Sequence, residues 1–133
     1  MKIFSSHKVF YIVSLLGILF IILFALNNRT KELRERKGIF VKSQTDTSYV
    51  IYNDSLIAIV LDNIRILDTD RHVLCKEALR TGDIVTIYFY GFVLESNPAQ
   101  IPDIAYVVKN EEGSYTDIEP YLPLLTEFHI LPK

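Results

Sequence analysis

The chain opens with a run that has no polar alternation. From Val9 to Leu26 (VFYIVSLLGILFIILFAL) 18 positions carry no charge, and only Ser14 and Gly17 are not apolar. At about 1.5 Å of rise per residue a helix over this run spans roughly 27 Å, the thickness of a bilayer's hydrocarbon. Ser5, Ser6, His7 and Lys8 bound it on one side and Asn27, Asn28 and Arg29 on the other. A cleaved signal has a shorter apolar core and two small residues ahead of the cut. Leu23-Phe24-Ala25 and Ala25-Leu26-Asn27 offer one small residue each. Residues 9–26 therefore read as an uncleaved transmembrane anchor in contact with lipid, after a short flank, 1–8.

Residues 27–37 are polar and helix-friendly. They predict a continued helix or a short basic stalk that stops at Gly38, because glycine is common just past helix ends. Beyond Gly38 the period changes to that of strands. Ile39–Val41, Tyr49–Tyr52 and Leu56–Leu61 are apolar and β-branched runs separated by the turn clusters Ser43–Ser48 and Asn53-Asp54. Asp62-Asn63 predicts a hairpin that pairs Ile64–Leu67 back on the preceding strand. Val73, Leu74, Cys75, Ala78 and Leu79 fit a short helix ended by Gly82. Ile84–Tyr90 is apolar on both faces and predicts a central strand. Ile104–Val108 predicts the last strand. Residues 111–133 are interrupted by Pro120, Pro123 and Pro132, and read as an irregular or edge segment. The expected fold is mainly β: a small OB-like antiparallel β-barrel over 38–110 with one short helix, preceded by the transmembrane helix.

Charge divides the chain at the same point. Residues 1–37 carry 7 basic and 2 acidic side chains, and residues 38–133 carry 7 basic and 14 acidic. The balances of +5 and −7 make up the net −2. Arg29, Lys31, Arg34, Arg36 and Lys37 are candidate membrane-surface contacts, each contributing about 1 kcal/mol beside anionic lipid. The acidic remainder argues against a nucleic-acid partner. Two basic residues before the anchor against five after it would keep the C-terminal side in the cytoplasm.

The stretch Thr81–Asn110 bears on that orientation. Gly82-Asp83 with Val85, a strand ending at Gly91, Glu95-Ser96, Pro98-Ala99-Gln100 and a strand about Ala105–Val108 follow in order. This pattern resembles the YobA-like small domain family of unknown function, found in secreted proteins and lipoproteins of Gram-positive bacteria. Gly38–Val41 resembles the family's first strand. The family's lipid-attachment cysteine has no counterpart here. The resemblance implies a domain on the extracytoplasmic side of a bacterial cell membrane, and that is the expected location. It implies no activity and no site residues.

Chemistry is sparse. One cysteine, Cys75, excludes an internal disulfide, and its setting reads as a small buried residue. Asp68, Asp70 and His72 place two carboxylates and an imidazole within five positions, a donor set for a divalent cation or acid–base work. The same pattern also suits a polar helix start, and no glycine-bent calcium loop surrounds it. Tyr88, Phe89, Tyr90 and Phe92 suit core packing better than base stacking. Glu95, Ser96, Asn97, Pro98 and Gln100 form the one candidate recognition loop for a protein partner. No catalytic residue, metal or cofactor is assigned. The expected function is a non-catalytic β-barrel module anchored at the cell envelope. The alternatives are a metal-assisted enzyme using Asp68, Asp70 and His72, and a cytoplasm-facing accessory subunit of a membrane complex.

Overall fold

A computed structural model describes residues 6–27 and 32–133 of the chain. Two compact units, Met1–Lys31 and Glu32–Lys133, divide it. The first holds helix α1, Ser6–Asn27, whose best window has a mean hydropathy of 3.0 and none of whose residues is buried. It is apolar on every face, and long and apolar enough to cross a membrane.

The second unit is mainly β. Its strands are β1 (Leu33–Lys42), β2 (Ser48–Tyr52), β3 (Ser55–Ile59), β4 (Arg65–Leu67), β5 (Val73–Leu74), β6 (Ile84–Tyr90), β7 (Ala99–Gln100) and β8 (Ile104–Glu111). They form one sheet in the order β5-β4-β8-β6-β1-β2-β3-β7. The ladder does not close: β5 and β7 stand at its ends.

Four expectations are corrected. The stalk over 27–37 becomes strand from Leu33 onward, because β1 pairs with β6 from Leu33↔Tyr90 to Ile39↔Ile84. Arg34, Arg36 and Lys37 are strand residues. Gly38 is a strand residue too, paired with Val85 on β6, and a Cβ there would collide with the Ile51 carbonyl on β2. The hairpin at Asp62-Asn63 does not form. The Ile64 N–H bonds the Leu61 carbonyl at 3.1 Å, and β4 leaves that turn to pair in parallel with β8 and antiparallel with β5. The short helix at 73–79 is instead β5 followed by a single 3-10 turn, Lys76–Ala78. Finally, 111–133 is not irregular. A 3-10 segment, Tyr115–Tyr121, runs into helix α2, Leu122–Glu127. Pro123 sits in the first turn of α2, where proline displaces no helical hydrogen bond.

Alternation along β1 and β2 feeds two cores. Phe40 and Val50 join Ile57, Ile87, Phe89 and Val107 on one face. Val41 and Ile51 face the other way, onto Ile118 and Leu125 of the C-terminal segment. The chain end is held beside β1: the Lys133 N–H bonds the Lys42 carbonyl at 2.7 Å, and the Thr81 hydroxyl donates to the Lys133 carbonyl at 2.7 Å.

One buried carboxylate ties these pieces together. Asp83, 1% exposed, accepts the N–H of Arg80 at 2.8 Å and of Gly113 at 2.9 Å. Lys109 Nζ lies 3.3 Å from it and also donates to the Ala78 carbonyl at 2.9 Å. Gly82 (φ +100°) and Gly113 cross so closely that a Cβ on Gly82 would strike the Ser114 backbone, and one on Gly113 the Gly82 carbonyl. A negative group buried this far needs its donors: losing one member of such a buried pair costs about 3–5 kcal/mol. The Lys76–Asp62 pair, at 3.2 Å with side chains 52% and 69% exposed, is worth about 0–1 kcal/mol. Urea denaturation of the full chain in detergent should therefore show Asp83→Ala losing about 3 kcal/mol or more. Asp62→Ala should stay within about 0.5 kcal/mol of the parent.

Candidate functional site

Residues 68–72 form the turn between β4 and β5, not a helix start. The Asp68 N–H bonds the His72 carbonyl at 2.9 Å, and Arg71 sits at φ +68°. Asp68 Oδ1 accepts the N–H groups of Asp70 and His72, both at 2.9 Å, and its Oδ2 lies 3.4 Å from His72 Nδ1. The His72 N–H, more than any other contact, holds the Asp68 carboxyl below its ordinary range; partial burial opposes it, and the Asp70 N–H adds to it. Asp70 and His72 are exposed. Donor atoms of Asp68, Asp70 and His72 lie within 4.8 Å of one another. Three donors suffice for loose cation contact, but one Asp68 oxygen is already engaged by the backbone. The fold gives that carboxylate a structural task, closing a tight turn.

Arg71 turns outward over a pair of tyrosines. Tyr88 on β6 and Tyr106 on β8 are register partners, and their rings stack at 4.7 Å. The Arg71 guanidinium lies 5.5 Å from the Tyr106 ring centre and 6.0 Å from that of Tyr88. Burial first, and then the nearby Glu35 charge, push the Tyr88 phenol up. Of this group, sequence reading singled out only Tyr88. Glu35, Arg71 and Tyr106 come from three separate segments: the β1–β6–β8 register aligns Glu35 and Tyr106 with Tyr88, and the pairing of β4 with β8 brings Arg71 to them. Of the other aromatics, Phe89 is fully buried in the core, whereas Phe92 is 62% exposed beyond the end of β6.

The loop Glu95–Gln100 is one tight structure. Leu94 and Gln100 exchange hydrogen bonds at 2.7 and 3.0 Å. The Ser96 N–H bonds the Leu94 carbonyl at 2.9 Å, its hydroxyl donates to the Pro98 carbonyl at 2.7 Å, and the Asn97–Pro98 bond is cis. Ala99-Gln100, which is β7, then pairs in parallel with Ile57 and Ala58 of β3. Glu95, Ser96, Asn97 and Gln100 present exposed side chains from this frame.

The basic candidates separate. Arg29 and Lys31 lie outside the described residues. Arg34 and Arg36 rest over the Phe89 ring at 5.5 and 5.6 Å, and Arg36 also over Tyr52 at 5.4 Å. Arg34 Nη1 donates to the Gly91 carbonyl at 3.0 Å. Lys37 is exposed on the opposite face of β1. Cys75, expected to be buried, is exposed, because the chain leaves β5 there as an edge rather than turning into a helix.

No family model matches this chain, and no curated protein matches it.

Two titrations check this geometry. Because the folded Asp68 carboxyl is held below 3.8, the stability it contributes is present above that value and is lost as pH falls through the lowered one. The carboxyl resonance of Asp68 should accordingly titrate below 3.8 in the folded chain and return toward it in urea. Tyr88 runs the other way. Its protonated form is favoured by folding, so that stability is full below 10.0 and fades as pH rises through the raised value. Carbon NMR of the tyrosine rings should give Tyr88 a midpoint above 10.0, and Glu35→Gln should bring it part of the way back.

Proposed function

We propose that this chain is a single-pass, membrane-anchored module of the bacterial cell envelope whose β unit binds a protein or an envelope component without catalysing a reaction. The observation that carries this reading is α1: 22 residues, apolar on all sides, with none buried and none belonging to the β unit. Exposing such a helix to water is costly, at about 25 cal/mol per Å² of apolar surface, and lipid removes that cost.

In this proposal β3 and β4 act as one bent strand. They are separated only by Val60–Ile64 and pair towards opposite ends of the sheet order, β3 with β2 and β4 with β8. The side chains of the larger core then fill a small OB-like barrel. The Glu95–Gln100 loop is the proposed recognition surface. Its internal hydrogen bonds hold in place the backbone that carries four exposed polar residues before a partner arrives, which lowers the ordering cost of binding. The extracytoplasmic side is favoured by the resemblance to the YobA-like family and by the weak grip of charge on long translocated domains. The geometry of Asp68, Asp70 and His72 gives the metal-assisted alternative less support, since the turn itself uses the first of the three.

Carbonate washing of the membranes should leave the full chain in the pellet and release a version lacking residues 1–31. Release of the full chain would sink the anchoring. Cys75 is the single cysteine and is exposed, so it reports the side directly. A membrane-impermeant maleimide should label it in intact cells. Labelling only after permeabilisation would place the β unit in the cytoplasm.

A further inference from the structure

Most cations of the β unit have a partner, and those that do not are gathered. Residues 38–133 carry 7 basic side chains. Lys76 pairs with Asp62, Lys109 pairs with the buried Asp83, and Arg71 lies across two tyrosine rings. Among the described residues, Lys42, Arg65, Arg80 and Lys133 make no ion pair. Lys42, Arg80 and Lys133 line one cavity of about 420 Å³, a volume within the range of small-molecule sites. Glu77 is the one acidic side chain on its wall. Counting a terminal carboxylate at Lys133 as well leaves cations ahead by three to two. Asp83 lies close to Arg80, but Lys109 Nζ balances it at 3.3 Å. The neighbouring cavity beside Lys109 has the opposite character, with Asp68, Glu111 and Glu112 on its wall. A concave wall of one sign concentrates its field, and unpaired cations brought close together repel one another until an anion joins them.

The backbone beneath these cations is fixed. Thr81, 6% exposed, accepts the Lys42 N–H at 3.0 Å and donates to the Lys133 carbonyl at 2.7 Å. The Lys133 N–H returns to the Lys42 carbonyl at 2.7 Å, and the Arg80 N–H is held by Asp83 at 2.8 Å. One hydroxyl thus ties the end of β1, the turn before β6 and residue 133 around the cavity. The roots of all three side chains are set before a ligand arrives, which lowers the ordering cost of binding. Tyr115, 47% exposed, adds an aromatic wall. We infer that this cavity is a binding site for a small organic anion, whose phosphate or carboxylate is taken by Arg80 with Lys42 and Lys133 and whose ring or apolar portion lies against Tyr115. A guanidinium offers paired N–H donors to two oxygens of either group, and each ammonium adds a point charge. The site shares no residue with the Glu95–Gln100 loop, and it depends neither on the anchor nor on the side of the membrane the β unit occupies.

The full chain, labelled with nitrogen-15 in micelles of an uncharged detergent at low ionic strength, is titrated at neutral pH with phenyl phosphate, with benzoate and with phenol as the uncharged counterpart. The amide resonances of Arg80, Thr81 and Lys133 report the cavity. Phenyl phosphate or benzoate should move them saturably, and phenol should not. Saturation by the first alone assigns a phosphate ligand, and by the second alone a carboxylate. Arg80→Gln and Lys42→Gln should each weaken binding about fivefold or more, the loss of one charged hydrogen bond. Glu77→Gln should tighten it, because it removes the opposing carboxylate from the wall. Arg65→Gln, which removes an unpaired cation outside the cavity, should leave it unchanged. Failure of both anions to saturate overturns the site. So does phenol moving the same resonances as far as the anions, which would make the cavity merely apolar. Equal weakening by Arg65→Gln and Arg80→Gln overturns it as well, since the attraction would then be diffuse.

Discussion

The β unit depends on a charge that water cannot reach. Asp83 lies at the entrance to β6, and its carboxylate is satisfied by a backbone N–H from the segment before it, another from the segment after β8, and the ammonium of Lys109 on β8. These partners come from two stretches of chain, the turn before β6 and the end of β8 with its exit. The carboxylate therefore selects one arrangement of the Arg80–Gly82 turn, the end of β8 and the start of the C-terminal segment. Any other arrangement strands a buried negative charge. The crossing of Gly82 over Gly113 is the steric counterpart of the same constraint, since neither backbone leaves room for a side chain on the other.

From that junction the layering follows. The chain leaving Gly113 is turned onto the outer face of β1, β2 and β3, where Ile118 and Leu125 meet Val41 and Ile51. The sheet is thus covered on both faces along these strands, while the β1–β6–β8 outer face keeps Glu35, Tyr88 and Tyr106 accessible with Arg71 laid across the rings. The polar features are distributed rather than gathered. The Asp68 turn meets the tyrosine stack through Arg71, whereas the Glu95–Gln100 loop stands on the connection between β6 and β8 and pairs with β3.

Much of this was legible in the residues. The apolar run of α1, the strand at Ile84–Tyr90, the turn at Asn53-Asp54 and the strand near Ile104–Val108 announce themselves by local composition and period. The misreadings share a cause. Leu33–Lys37 is charged and looks helical, and it becomes strand because β6 offers an unbroken partner. Asp62-Asn63 has hairpin chemistry but only bends the chain, since β8 competes successfully for β4. The three late prolines look like breakers, yet one occupies the first turn of α2, where proline is harmless. Asp68 has the chemistry of a capping or ligand residue, but its actual partners, the N–H groups of Asp70 and His72, belong to a turn geometry that composition does not encode.

Sequence alone determined the elements whose cause is local: an uncharged apolar helix, a β-rich acidic remainder, and a sharp change of charge between them. Hydropathy and φ preferences act within a few residues, so a single pass along the chain captures them. Tertiary structure decided strand partners, the fate of the C-terminal segment and which side chains meet at the surface. Those outcomes turn on competition between distant segments for the same hydrogen bonds and the same buried volume, and the winner is set by packing that no local window contains.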